Sequence, residues 1–292
     1  MKRITICLMM AVALLAFSPL YALDYIVGAK GGYFYWEPVT KQFNVAGFQD
    51  IDRGSGALYG PIFSVILTPD LSLAVSGLMG EQGTDWQTSH KLNERGQYVS
   101  GNYAFTAKRY DLDSALSYRL GESLKIFAGY KYQYLKSSFK TTNMRVEGTA
   151  LKEIEFQDLT IKQPAHGPAL GLGFSMPLGK GYFFAINLSG LYMRGRFDMS
   201  SNESFGYYSS NSFASPNYQS DISQKLKTTQ YGANLEPSLG VNMGEGMPIV
   251  TLGVRYQWMK LKFKDAPTNQ GFPSKYVDDK VYGVFVGMMY QL

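Results

Sequence analysis

The chain has 292 residues, a formal net charge of +5 and 15% aromatic residues, among them 22 tyrosines. A single cysteine, two histidines and the lack of any basic block argue against a disulfide scaffold, a metal cluster and a nucleic-acid surface. Tyrosine enrichment with 31 glycines and weak overall hydropathy fits a transmembrane β-barrel, whose signal per strand is faint.

Lys2 and Arg3 precede an apolar run from Ile4 to Phe17, and Leu20-Tyr21-Ala22 follows as a cleavage site. This pattern predicts a signal peptide over residues 1–22 and one outer-membrane β-barrel domain over 23–292. Lys2 and Arg3 account for two of the positive charges, leaving +3 on residues 23–292. Cys7 leaves with the leader, so the exported chain has no thiol to bridge it. No later apolar run approaches the roughly 18 residues a spanning helix needs.

Period-2 alternation predicts ten strands, near 24–36, 56–67, 71–80, 106–120, 124–138, 167–178, 182–198, 229–243, 249–263 and 280–292. Short turns join strands two to three, four to five, six to seven and eight to nine. The other connections are long: 38–55, 81–105, 141–165, 200–227 and 265–279. Short periplasmic turns alternating with long extracellular loops are the rhythm of an all-β, ten-stranded antiparallel transmembrane barrel. Pro61 and Pro237 fall within strands and could introduce bulges that shift the side-chain parity.

The alternation also assigns faces. On strand five Leu124, Ile126, Ala128, Tyr130, Tyr132 and Tyr134 oppose Lys125, Phe127, Gly129, Lys131 and Gln133. The greasy set ends in tyrosines and is the lipid face, while the polar set looks inward. Outward aromatics fall at two levels, Tyr118, Tyr182 and Tyr290 near the turns and Tyr130, Tyr192, Tyr256 and Trp258 higher up, as two interfacial girdles require.

Inward charges are the first candidate site. The hairpin register sets Asp113 opposite Lys131 and Glu236 opposite Arg255, with Lys30, Arg109 and Asp111 at or above their height. Such a network can be a selectivity constriction, or a salt-bridged plug in a narrow barrel lined by Gly28, Gly129, Gly171, Gly173, Gly253 and Gly287. Outward cations are the second. Lys108, Lys136, Arg194, Arg196, Lys260, Lys262, Lys264 and Lys280 continue the lipid-facing parity beyond the upper girdle, where they can meet lipopolysaccharide phosphates. The connection 200–227 is rich in Ser, Asn and Tyr and suits an extracellular ligand. His90 and His166 lie on the loop side of strands four and six with no nucleophile or metal-ligand spacing, so no cofactor or metal is expected.

Gly83-Thr84-Asp85-Trp86, and the run from Tyr110 through FAGYKYQYLKSSF to Phe139, resemble segments of the omptin family of outer-membrane proteases. The resemblance implies a ten-stranded scaffold. Omptins use an Asp pair and an Asp–His pair; here Gly83 replaces one partner of Asp85, and FDMSSNESFGYY after strand seven lacks the histidine. A base matched to neutral pH is therefore missing. The chain ends on Leu292 rather than the aromatic favoured by the barrel-assembly machinery, although Tyr290 and the alternation before it fit. The expectation is a non-enzymatic surface or structural protein contacting outer-membrane lipid and lipopolysaccharide. A narrow porin or small-solute transporter is the alternative, and an omptin-type protease the third reading.

Overall fold

A computed structural model describes residues 24–42, 53–92, 98–147, 150–209, 212–264 and 276–292. The expected signal peptide lies outside these residues. The elements are β1 (Asp24–Glu37), a short 3-10 helix η1 (Val39–Gln42), β2 (Gly54–Ile66), β3 (Leu71–Leu92), β4 (Tyr98–Arg119) and β5 (Leu124–Glu147). They continue with β6 (Ala150–Gly179), β7 (Tyr182–Ser209), β8 (Ser212–Asn242), β9 (Ile249–Lys264) and β10 (Val277–Gln291).

Each strand pairs antiparallel with its sequence neighbours, and β1 pairs with β10, so ten strands close into a barrel without an edge. Leu292 N–H donates to the Tyr25 carbonyl at 2.8 Å, which places the two ends of the barrel side by side on the short-turn side. The β6–β7 turn is tight because Gly179, Lys180 and Gly181 all take positive φ, at 88°, 50° and 80°. Neither proline shifts the register. The β2–β3 pairing holds across Pro61 and the β8–β9 pairing across Pro237, so the inner and outer parity on either side of them is preserved.

The strands are taller than alternation indicates. Residues 81–92 extend β3, 98–105 begin β4, 141–147 extend β5, and 150–165 begin β6. The connection 200–227 is likewise strand, except at residues 210–211, which lie outside the described set. The physical reason is that period-2 hydropathy comes from lipid on one face. Above the membrane both faces can be polar, and the hydrogen-bonded ladder continues without that signature. Similarly, β10 starts at Val277 instead of residue 280.

The outer wall is apolar as expected: Leu172, Leu188, Leu252, Val254, Val284 and Val286 all point away from the barrel. The interior departs from expectation in its upper half. Alternation implies a polar lumen throughout, yet Phe34, Trp36, Leu58, Phe105, Leu135, Phe139, Ile161, Phe197, Leu261 and Phe263 form a continuous buried cluster there. Outside the bilayer water bathes the barrel wall, so the tall upper section can only bury apolar side chains by turning them inward, as a soluble barrel does.

Candidate functional site

Moving up from the short turns, the lumen has three layers. At the bottom is a vestibule with a cavity of about 230 Å³. Glycines on the inner wall shape it. The Phe127 ring lies over Gly171 and the Lys125 stem over Gly173, at positions a Cβ would occupy.

The second layer is ionic, and it gathers the seven charges expected of the network, Lys30, Arg109, Asp111, Asp113, Lys131, Glu236 and Arg255. Asp113 receives the Lys131 ammonium at 2.8 Å, its direct β4–β5 partner. Glu236 meets the Arg255 Nε at 3.3 Å across β8–β9. Lys30, for which the register offers no partner, reaches Glu236 at 2.8 Å while its ammonium sits 3.7 Å from the centre of the Phe285 ring. Asp111 lies among three cations, Arg109 at 3.1 Å, Lys131 at 3.6 Å and Arg255 at 3.8 Å. Burial makes these contacts strong and makes a charge without a counterion costly, which accounts for every one of these charges lying against an opposite one.

Two residues of this layer are not recognisable as members from sequence. Gln133 Oε1 accepts from Arg109 at 3.1 Å and from Gln257 Nε2 at 3.2 Å, and Gln257 in turn accepts from Arg255 at 3.0 Å. The Gln133–Gln257 bond joins β5 to β9 across the lumen, so the ionic layer is a cross-brace rather than a lining. Inward parity is the only available signal, because no hairpin register relates β5 to β9.

The third layer is the apolar stopper. Trp36 stacks on Phe105 at 5.6 Å, Phe105 contacts Phe139 at 4.6 Å, and Phe197 meets Phe263 edge-on at 5.1 Å. Trp36 on β1 and Phe105 on β4 are not on adjacent strands, so their stack crosses the bore. η1 packs Val39 into the same cluster. The Gln42 amide holds η1 there by mimicking a strand: it donates to the Asp278 carbonyl at 2.8 Å and accepts its N–H at 3.1 Å. Asp279, also missed, accepts from the Trp36 indole at 2.5 Å and anchors the ring in the stopper.

Outside, all eight cations expected in the collar belong to the outward-facing set. Lys108, Lys136, Arg194, Arg196, Lys262 and Lys264 line the outer wall with Lys260 and Lys280, the last two half-buried. Lys260 and Lys262 stand over the Trp258 and Tyr276 rings, and three others approach carboxylates. Lys108 approaches Glu81 at 3.6 Å, Arg196 approaches Asp198 at 3.8 Å, and Lys280 approaches Glu37 at 3.4 Å. Lys162, Lys225 and Lys227 join the band and were missed because they fall in segments that read as loops. With them the cations line up. Lys108, Lys136 and Lys162 are direct cross-strand partners on β4, β5 and β6. Arg196, Lys227 and Lys264 are direct partners on β7, β8 and β9.

The histidines form no catalytic arrangement among the described residues. His166 is on the outer wall of β6, where Nδ1 hydrogen-bonds the Tyr130 hydroxyl at 2.5 Å. His90 falls within β3 rather than a loop, and its side chain lies outside the described set. Asp85 is also within β3, and its backbone pairs with Ala104, an outward position of β4.

No protein-family model and no curated protein sequence matches this chain. Its architecture is similar to that of the outer membrane protease OmpT from Escherichia coli, at 10% identity, TM-score 0.46, 92% of this chain and 96% of that one. It is also similar to a major outer membrane protein from Thermus thermophilus, at 11% identity, TM-score 0.36, with 93% and 100% covered. The outer membrane protein OprG from Pseudomonas aeruginosa gives 13% identity, TM-score 0.31, with 91% and 95% covered. With its closed ten-stranded sheet and apolar outer wall, the chain is a β-barrel of the outer-membrane kind.

Proposed function

We propose that this protein is a non-conducting surface protein of a Gram-negative-type outer membrane that binds lipopolysaccharide through its outer band of cations. The observation that carries the reading is the pair of like-charge rows, Lys108–Lys136–Lys162 and Arg196–Lys227–Lys264, each set by direct strand pairing. Like charges directly opposite one another are destabilising, by about 0.2–1 kcal/mol per pair. Two such rows just above a girdle of tyrosines make physical sense when phosphates lie between the ammonium and guanidinium groups. Each phosphate then accepts charge-assisted hydrogen bonds from two strands at once.

The closed lumen supports the non-conducting half. A solute would have to break the cross-braced ionic layer and then pass the aromatic stopper, among the described residues a continuous apolar block. A hydrolytic role has weaker support, because Gly83 stands where the omptin resemblance requires the partner of Asp85.

The test uses refolded protein and purified lipopolysaccharide. Replacing Lys108, Lys136 and Lys162 together by Gln should weaken binding at least tenfold and leave the folded barrel intact. Unchanged binding would overturn the lipid reading. Steady single-channel currents through the wild-type protein would overturn the non-conducting one.

A further inference from the structure

We propose that the vestibule below the ionic layer is a binding site for a small oxyanion, a carboxylate or a phosphate, held by Lys125. The site is separate from the outer cation band and faces the opposite side of the membrane.

Three observations lead there. First, the cavity of about 230 Å³ is lined by side chains that can donate hydrogen bonds, including Ser117, Ser189 and Asn187. Second, the carboxylates that border it are already satisfied: Asp113 by Lys131, and Glu236 by Lys30 and Arg255. Lys125 has no such partner among the described residues, and its direct cross-strand neighbour is another cation, Arg119. Both side chains are exposed, so solvent moderates their repulsion, and together they leave a local excess of positive charge that attracts anions to the vestibule.

Third, Lys125 is held in place. Its stem occupies the notch that Gly173 leaves on β6, and Asn187 Oδ1 borders the same notch. A freely moving surface lysine loses rotamer freedom on capturing a ligand, whereas this one has already lost part of it. The held ammonium and the donors around it match an oxyanion. A neutral sugar or an apolar molecule would leave the Lys125 charge unpaired.

Inorganic phosphate and succinate serve as separate probes, titrated by calorimetry into refolded protein in neutral detergent at low ionic strength. Sodium chloride at matched ionic strength is the control. Saturable binding of one or both is expected, and the probe that saturates identifies the chemistry. Lys125→Gln should weaken it about tenfold or more, Lys125→Arg should retain most of it, and Leu252→Ala on the lipid-facing wall should leave it unchanged. Heat-modifiable gel mobility reports whether each barrel is folded, and Asn187→Ala serves as a second variant if Lys125→Gln does not refold. A linear, non-saturating response to both probes would overturn the proposal. So would equal binding by wild type, Lys125→Gln and Asn187→Ala.

Discussion

Lys30 on β1 reaches past β10 and β9 to Glu236 on β8, closing to 2.8 Å over the face of the Phe285 ring. The bond joins strands that share no hairpin and no ladder. It braces the barrel from within, and the Gln133–Gln257 bond does the same between β5 and β9.

Removing one partner of that brace leaves a charge without its best counterion. Glu236→Gln should cost about 3–5 kcal/mol, since Lys30 loses its carboxylate and Arg255 keeps only the longer contacts to Asp111 and Asp113. Replacing Lys30 and Glu236 together by Met and Leu should cost less than the sum of the single changes. Denaturant unfolding of the refolded barrel measures both, and strict additivity would show that the pair is not coupled.

Gly253 sits where a Cβ would strike the Phe285 ring and the Pro237 carbonyl. Gly253→Ala should therefore push Phe285 from beneath Lys30 and destabilise the barrel by about 1–3 kcal/mol. Gly190 has open space around its missing Cβ, so Gly190→Ala is the control and should change stability little. Equal effects at the two positions would contradict the packing described.

The stopper makes a prediction about conductance. Wild-type protein in a planar bilayer should show no steady channel. Phe105→Ala with Phe139→Ala removes two rings that meet at 4.6 Å and strips Trp36 of its stacking partner. Brief, low-amplitude openings should then appear, with the ionic layer still in place below. A silent double variant would mean that the ionic layer alone closes the bore.

The outer rows predict a change of sign. Lys136 lies between Lys108 and Lys162 in direct register. In detergent free of lipopolysaccharide, Lys136→Gln should stabilise the barrel slightly, by up to about 1 kcal/mol before salt screening. In vesicles containing lipopolysaccharide the same change should destabilise it, because a phosphate ligand is lost. The same sign in both media would argue against phosphate between the rows.

The membrane-spanning half was legible because lipid imposes a rule on each residue. Leu124, Ile126 and Tyr130 had to alternate with Lys125, Phe127 and Lys131, and that parity set the strand number, the hairpin registers and the Asp113–Lys131 and Glu236–Arg255 pairs. The upper half was not legible in the same way. Lys162, Lys225 and Lys227 looked like loop residues because water on the outer face permits polar side chains at every position.

By itself the sequence determined what strand neighbours share: alternation, facing and the partners inside one hairpin. Those are local consequences of a two-residue repeat and a turn of known length. Only the tertiary structure decided what meets across the bore. Closure of β1 onto β10 brings Lys30 to Glu236, Gln133 to Gln257 and Trp36 to Phe105. Which inner residues touch depends on the stagger and curvature of the whole barrel, which no single hairpin encodes.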